Sequence, residues 1–403
     1  MTRLRLLAIA AVAILVEVVS RLGLVALEAR GVIYDPIADT LPAVHRVVLA
    51  RVVSGATHYI EPSSDLGWTL QPGGGVPPLY RANAEGFRAE REYTPDPPAG
   101  VLRFAAFGDS FTHSDDVPYP DTWSTRLERP GLEVLNFGVG GYGLDQALLR
   151  YRRDGKRYHA RVVLIGFMSE DIERGVSVYR PFYHPATHEP MAKPRFRMVL
   201  DTLALVPNPV PKAEGYRALL DSTSVVLARL GADDWFYRTR EHVGPLDALG
   251  SVRLAKLALR VARQSNGPMV RGVYNPRSEA FRLAVATFAE FVREVWADGA
   301  VPVVLIFPTR WDIRRYWRSG TRTYDALRPA LDSAGLPYLD LVEAFDGCRR
   351  LDPTTLAPRH YSALGNAQVA AFLAARIDSN GIRPPPPASG PATCATADTP
   401  GDR

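Results

Sequence analysis

Acyl chemistry on a serine needs a nucleophile, a base for its proton and donors for the developing oxyanion. Residues of all three kinds stand along this chain of 403 residues. The nucleophile candidate is Ser110, in Phe107-Gly108-Asp109-Ser110-Phe111-Thr112. It follows the largely apolar run 101–107, which reads as a strand. Glycine lets the backbone turn sharply there, and the hydroxyl is left at the carboxyl edge of a sheet, where open α/β sheets keep their sites. The base candidate is His360, in Arg359-His360-Tyr361-Ser362-Ala363-Leu364-Gly365-Asn366, just before a final helix. Candidate donors come from Asn136-Phe137-Gly138-Val139-Gly140-Gly141-Tyr142-Gly143, because a glycine can turn its N–H toward a bound oxygen with no side chain in the way. Asp109, next to the nucleophile, is grouped with these oxygen-facing residues. His113 lies on the same turn, as a loop histidine or a lining residue.

The elements that must position these groups alternate. Strands are expected at 101–107, 133–137, 162–167, 301–307 and 337–341, and helices at 122–127, 145–153, 278–296, 324–334 and 362–377. The clearest helix carries Phe281, Ala284, Phe288, Phe291 and Val295 on one stripe. Ser362 is placed to cap the last one. Such alternation argues for a parallel sheet covered on both faces. Residues 175–272 interrupt it and read as an insertion beside the site, with hairpin strands over 179–211 and helices over 216–231 and 247–263. Helical spacing runs over 34–60. The Pro- and Gly-rich stretch 61–98 reads as extended loops.

The serine turn after a buried strand, the glycine block and the late histidine, in this order, resemble the SGNH (GDSL-type) hydrolases. The resemblance covers residues 61–378, with a poorly matched middle. It implies a three-layer α/β/α domain with a short, flavodoxin-like parallel sheet. It also implies that Ser110 attacks, that His360 is base and then acid, and that Gly141, or Gly140 in the alternative register, donates to the oxyanion. Leu66-Gly67-Trp68 and Asn83-Ala84-Glu85-Gly86-Phe87-Arg88 resemble lead-in segments of a bacterial subgroup.

Two positions depart from the family pattern. Where an oxyanion-donating Asn is expected, the chain has Glu170, in Gly166-Phe167-Met168-Ser169-Glu170-Asp171. An ionised carboxylate cannot donate; a protonated Glu170 could, and Ser169 or backbone donors are the substitutes. Where an Asp three residues before the histidine is expected, the chain has Ala357. Asp352 is the nearest upstream carboxylate, and a Ser–His dyad with a backbone carbonyl as orienter is the alternative. Arg310, Trp311 and Asp312 follow a strand and are candidates to line the pocket.

The leading expectation is a serine esterase acting on acyl esters, acetyl among them, of a carbohydrate or lipid. The alternatives are an O-acyltransferase of envelope polysaccharide and a weakened domain that binds a glycan or partner. No cofactor is required by this chemistry. The net charge of +5 is scattered, which argues against nucleic acid. Arg3 and Arg5 precede an apolar run from Leu6 toward Leu27, long enough for a helix that spans. The expectation is an uncleaved anchor with the domain outside the cytoplasm; the alternatives are cleavage and secretion, or an amphipathic helix packed on the domain with Glu17 and Arg21 paired. The partition expected is anchor 1–30, lead-in 31–99, catalytic domain 100–378 and a disordered Pro-rich tail 379–403. Cys348 and Cys394 form a disulfide or remain two thiols, and neither has metal-ligand spacing, so no metal site is expected.

Overall fold

The computed structural model describes residues 3–383, except 31, 39, 201 and 222, together with Cys394. Five parallel strands form the central sheet: β1 (Leu102–Phe107), β2 (Leu132–Asn136), β3 (Val162–Met168), β4 (Val301–Phe307) and β5 (Tyr338–Asp340). Their order is β5-β4-β3-β1-β2, with β1 between β2 and β3. All five expected strands are present within about a residue. Burial on both faces explains why β3 and β4 read as continuous apolar runs instead of alternating ones.

The helices used below are α1 (Arg3–Glu28), α2 (Ser110–His113), α3 (Trp123–Leu127), α4 (Leu144–Arg150), α5 (Gly250–Arg263), α6 (Glu279–Ala297), α7 (Arg310–Ser319) and α8 (Ala363–Arg376). Alternate strand residues divide between two cores. Ala105, Phe107, Val163, Ile165, Val304 and Ile306 face α4 and α6. Phe104, Ala106, Leu164, Val303 and Leu305 face α3 and α8. The expected stripe of α6 lies in the first core, where Phe288 and Phe291 have no exposed surface. Each such side chain contributes about 1.5–3 kcal/mol. Ser362 caps α8 through the Gly365 N–H, as its sequence position suggested.

Three expectations need correction. Helical spacing over 34–60 yields a helix only at Ala43–Ser54, because Pro36 and Pro42 stop it from extending backwards. The stretch 61–98 contains two small hairpins, Ile60–Ser63 with Gly67–Leu70 and Gly75–Val76 with Tyr80–Arg81. The insertion holds the hairpin Arg195–Val199 with Thr202–Val206 and an extra short helix, Trp235–Thr239, capped by Asp234. Of the expected tail, residues 379–383 complete a short hairpin. The remainder lies outside the described residues, apart from Cys394, which is bonded to Cys348 with Cα atoms 4.8 Å apart.

The first half of α1 touches nothing: residues 3–16 are exposed throughout. The second half packs along α5. Glu17 and Arg21 do not pair with each other. The Glu17 carboxylate accepts the N–H groups of Gly250 (2.7 Å) and Ser251 (3.2 Å), while Arg21 Nη2 donates to the Ala248 carbonyl at 3.1 Å.

Candidate active site

The turn after β1 is built around Asp109. Its carboxylate caps α2, accepting from the N–H groups of Phe111 (2.9 Å) and Thr112 (3.4 Å). Burial pushes the Asp109 carboxyl upward, partly opposed by Arg174. Asp109 therefore shapes the turn and does not face a bound oxygen. Ser110 is the first residue of α2 and is 5% exposed. Its hydroxyl has no hydrogen-bond partner among the described residues, so the proton remains available to a base. Such bonds are commonly long before substrate arrives.

His360 sits next to this turn, its ring edge-on to that of Phe111 with centroids 5.3 Å apart. Its Nδ1 donates to Asp116 Oδ2 at 2.8 Å. An ionised carboxylate can only accept, so Nδ1 carries a proton and Nε2 is the nitrogen left free of Asp116. The bond from His360, with Arg359 adding to it, holds the Asp116 carboxyl well below the usual carboxylate range. The orienting acid is thus Asp116, six positions after the serine, and not Asp352. Asp352 is exposed and capping the helix Pro353–Leu356, with its carboxylate on Thr354 N (2.8 Å) and near Arg314 (3.4 Å). A dyad oriented by a backbone carbonyl is excluded for the same reason.

Asp116 is held in place from the lead-in. The buried guanidinium of Arg88 donates to the carbonyls of His113 (2.7 Å), Ser114 (2.7 Å) and Val117 (2.6 Å). These bonds fix the loop in a conformation where Ser114 and Asp116 both have positive φ. His113 belongs to the same support. It is buried, it receives the Tyr59 hydroxyl at Nε2, and Nδ1 faces Asp115. Burial and the nearby Arg88 lower it to about 4, so it is neutral. It is packed at the end of α2, between Tyr59 and Asp115.

The glycine block crosses this turn closely. A Cβ on Gly138 would lie 2.4 Å from the His113 nitrogen, so only glycine fits. Asn136 closes the contact by donating to the Thr112 carbonyl at 2.8 Å. Gly141 has φ +79°, and Trp68 Nε1 donates to the Gly140 carbonyl at 3.0 Å. The N–H groups of Ser110, Gly140 and Gly141 have no acceptor among the described residues. Both glycine registers thus keep a free donor. Gly141 differs in its surroundings: a Cβ there would be 3.3 Å from Glu189 Oε2 and 3.5 Å from Arg180 Nη1, two groups that face each other at 3.6 Å.

Across the edge, Glu170 is no donor. Arg180 reaches it at 2.8 Å, Arg174 at 3.2 Å and the Tyr183 hydroxyl at 3.1 Å. Burial opposes ionisation, but Arg174 and Arg180 outweigh it and hold the carboxyl well below the usual range. The protonated Glu170 considered from sequence is therefore ruled out by its two arginine partners. Ser169 gives its hydroxyl proton to Asp312 at 2.9 Å. Asp312 completes the capping box of α7 with Thr309, Trp311 stands exposed, and Arg310 bonds the Pro358 carbonyl ahead of His360. Asp171 is pushed upward by burial and by Asp109, and its carboxylate accepts the Met168 N–H.

Sequence reasoning missed Asp116 and Arg180. Ser114-Asp115-Asp116, directly after the serine turn, was the available signal for the first. Arg180 lies in the insertion, and no local pattern marks it.

No family model and no curated protein matches the sequence. Among solved structures, the chain is similar to a protein assigned as a lipolytic member of the G-D-S-L family from Desulfitobacterium hafniense DCB-2. Identity is 11%, TM-score 0.32, and 68% of this chain and 98% of that chain are covered. It is also similar to LAE5, an alpha/beta hydrolase enzyme from the metagenome of Lake Arreo, Spain, at 15% identity and TM-score 0.34, covering 68% of this chain and 95% of that one.

Proposed function

We propose that this protein is a serine esterase that cleaves acyl esters through Ser110 and His360. The observation that carries the reading is the His360 Nδ1–Asp116 bond beside the capped Ser110 turn. Asp116 fixes the tautomer that leaves Nε2 basic and stabilises the imidazolium that forms when the serine proton is taken. Ser110 Oγ bonds to the ester carbonyl carbon, the proton passes to Nε2, and His360 returns it to the departing alkoxide. Water then repeats the sequence on the acyl-enzyme. The free N–H groups of Ser110 and Gly141 hold the oxyanion. Arg180, next to Gly141 and paired with Glu170 and Glu189, supplies the donor that an Asn side chain supplies elsewhere. The reading also makes α1 a membrane anchor. Arg3 and Arg5 stay in the cytoplasm and the catalytic domain lies outside.

The test is hydrolysis of p-nitrophenyl acetate and butyrate by the full chain, beside Ser110→Ala and His360→Ala. Both variants should lose about 10³-fold or more. Wild-type turnover no faster than Ser110→Ala would sink the esterase reading. A weakened binding domain would then take its place, since its motive, the charged Glu170 in the oxyanion wall, would remain.

A further inference from the structure

The contact between α1 and α5 sets how deep the domain sits against the bilayer. A bilayer core about 30 Å thick takes about 20 helical residues. Residues 3–16, the part of α1 free of the domain, cover about 21 Å at ~1.5 Å per residue. The apolar helix meets the length requirement only when the segment continues past Glu17 and Arg21 to about Gly23. At that level α1 is already packed against the protein. Gly250 lies directly on Arg21, where a Cβ would be 2.7 Å from its Cγ, and Leu254 lies against Gly23.

The two charges inside the span have partners suited to such a place. Ionisable residues at membrane depth are costly unless paired. Glu17 takes the free N–H groups at the start of α5, together with the Ser251 hydroxyl, and Arg21 takes the Ala248 carbonyl. The segment leading into α5 exposes Val243 (48%), Leu246 (61%) and Leu249 (41%). Farther along, α5 exposes Arg253 and Arg263, which suit anionic headgroups, while Lys256 pairs with Asp247 of the segment and Arg260 with Glu241. Arg260 reaches the Ile33 carbonyl, just beyond the end of α1.

We infer that the segment 243–251 is a second membrane contact, immersed in the domain-side leaflet from which α1 emerges, with Leu246 and Leu249 in the acyl-chain boundary. The inference rests on reading α1 as the anchor. Interfacial insertion of this kind scales with buried apolar area plus attraction to anionic lipid.

The two native cysteines are joined to each other, so an introduced thiol is the only one free to be labelled. Full chains carrying Leu246→Cys, Leu249→Cys, Ile9→Cys or Leu200→Cys would be labelled with NBD. Each would be reconstituted in phosphatidylcholine–phosphatidylglycerol vesicles containing nitroxide-labelled lipid. Probes at 246, 249 and 9 should lose most of their emission; the probe at Leu200, a fully exposed hairpin residue, should keep it. Quenching at Ile9 with none at 246 and 249 overturns the inference and leaves the anchor standing. No quenching at Ile9 overturns both. Equal quenching at Leu200 also overturns it, since any exposed apolar residue would then report lipid. Leu249→Glu should reduce neighbouring quenching at 246; unchanged quenching there counts against immersion.

Discussion

The carboxyl edge of the sheet has two unlike halves. Around Ser110 and Asp116 the support is backbone: Arg88 spreads its donors over the carbonyls of His113, Ser114 and Val117, and Asn136 and Trp68 hold the carbonyls of Thr112 and Gly140. Around Glu170 the support is charge on charge, with Arg174 and Arg180 on one carboxylate and Asp109 and Asp171 behind them. The first half fixes positions whatever the local potential. The second depends on every partner keeping its charge. The charged half is therefore the one more sensitive to single changes.

The sharpest way to break the comparison is at the acids. Asp116→Asn should lower kcat/KM for p-nitrophenyl acetate by about 10²- to 10⁴-fold, through loss of the tautomer control. Asp352→Asn should leave it within experimental scatter. Equal effects would erase the distinction between an acid in the site and an acid on a surface turn. On the other half, Arg180→Ala should lose about 10²- to 10³-fold in kcat, as removal of an oxyanion donor does. Arg180→Lys should recover part of that, because the charge returns without the planar fork that grips Glu170. An unaltered kcat in Arg180→Ala would mean that the charged half is scaffolding only.

Arg88→Met tests the backbone half by stability. Three buried carbonyls lose their donor, so denaturant unfolding should show a loss of about 2–4 kcal/mol, with kcat falling alongside as Asp116 loosens. The smallest effects are in pH, and they have opposite signs. His113 is lowered to about 4 from an ordinary 6.5, so the folded state resists a proton that the unfolded chain accepts. Its stability contribution declines as pH falls from about 6.5 to about 4. Glu173, across the edge, is pushed up to about 7 from 4.5 by burial and Glu170. The folded state there favours the protonated form, so stability declines as pH rises from about 4.5 to about 7. Tm measured against pH should flatten on the acid side in His113→Gln and on the neutral side in Glu173→Gln. A change on the wrong side in either variant would refute the assignment.

Much of this was legible because it is local. A run such as 162–167 is apolar throughout because β3 is buried on both faces, and Ser110 and Gly141 follow strands that declare themselves. His360 was findable because α8, with its Ser362 cap, follows it. The acid was not. Asp352 is near His360 along the chain, whereas Asp116, 244 positions away, is near it through the fold. Arg180 comes from the insertion, where charge has no period. Helical spacing over 34–60 misled because it counted apolar positions and overlooked Pro36 and Pro42.

Trp68 and Arg88 lie ahead of the first sheet strand, yet one braces the glycine turn and the other braces the loop of Asp116. The smallest unit that could be transplanted with its chemistry intact therefore begins before Tyr59, not at Leu102. A recombination that cut between the lead-in and the sheet would strip Trp68 and Phe87 from the core and leave the loop of Asp116 unbraced.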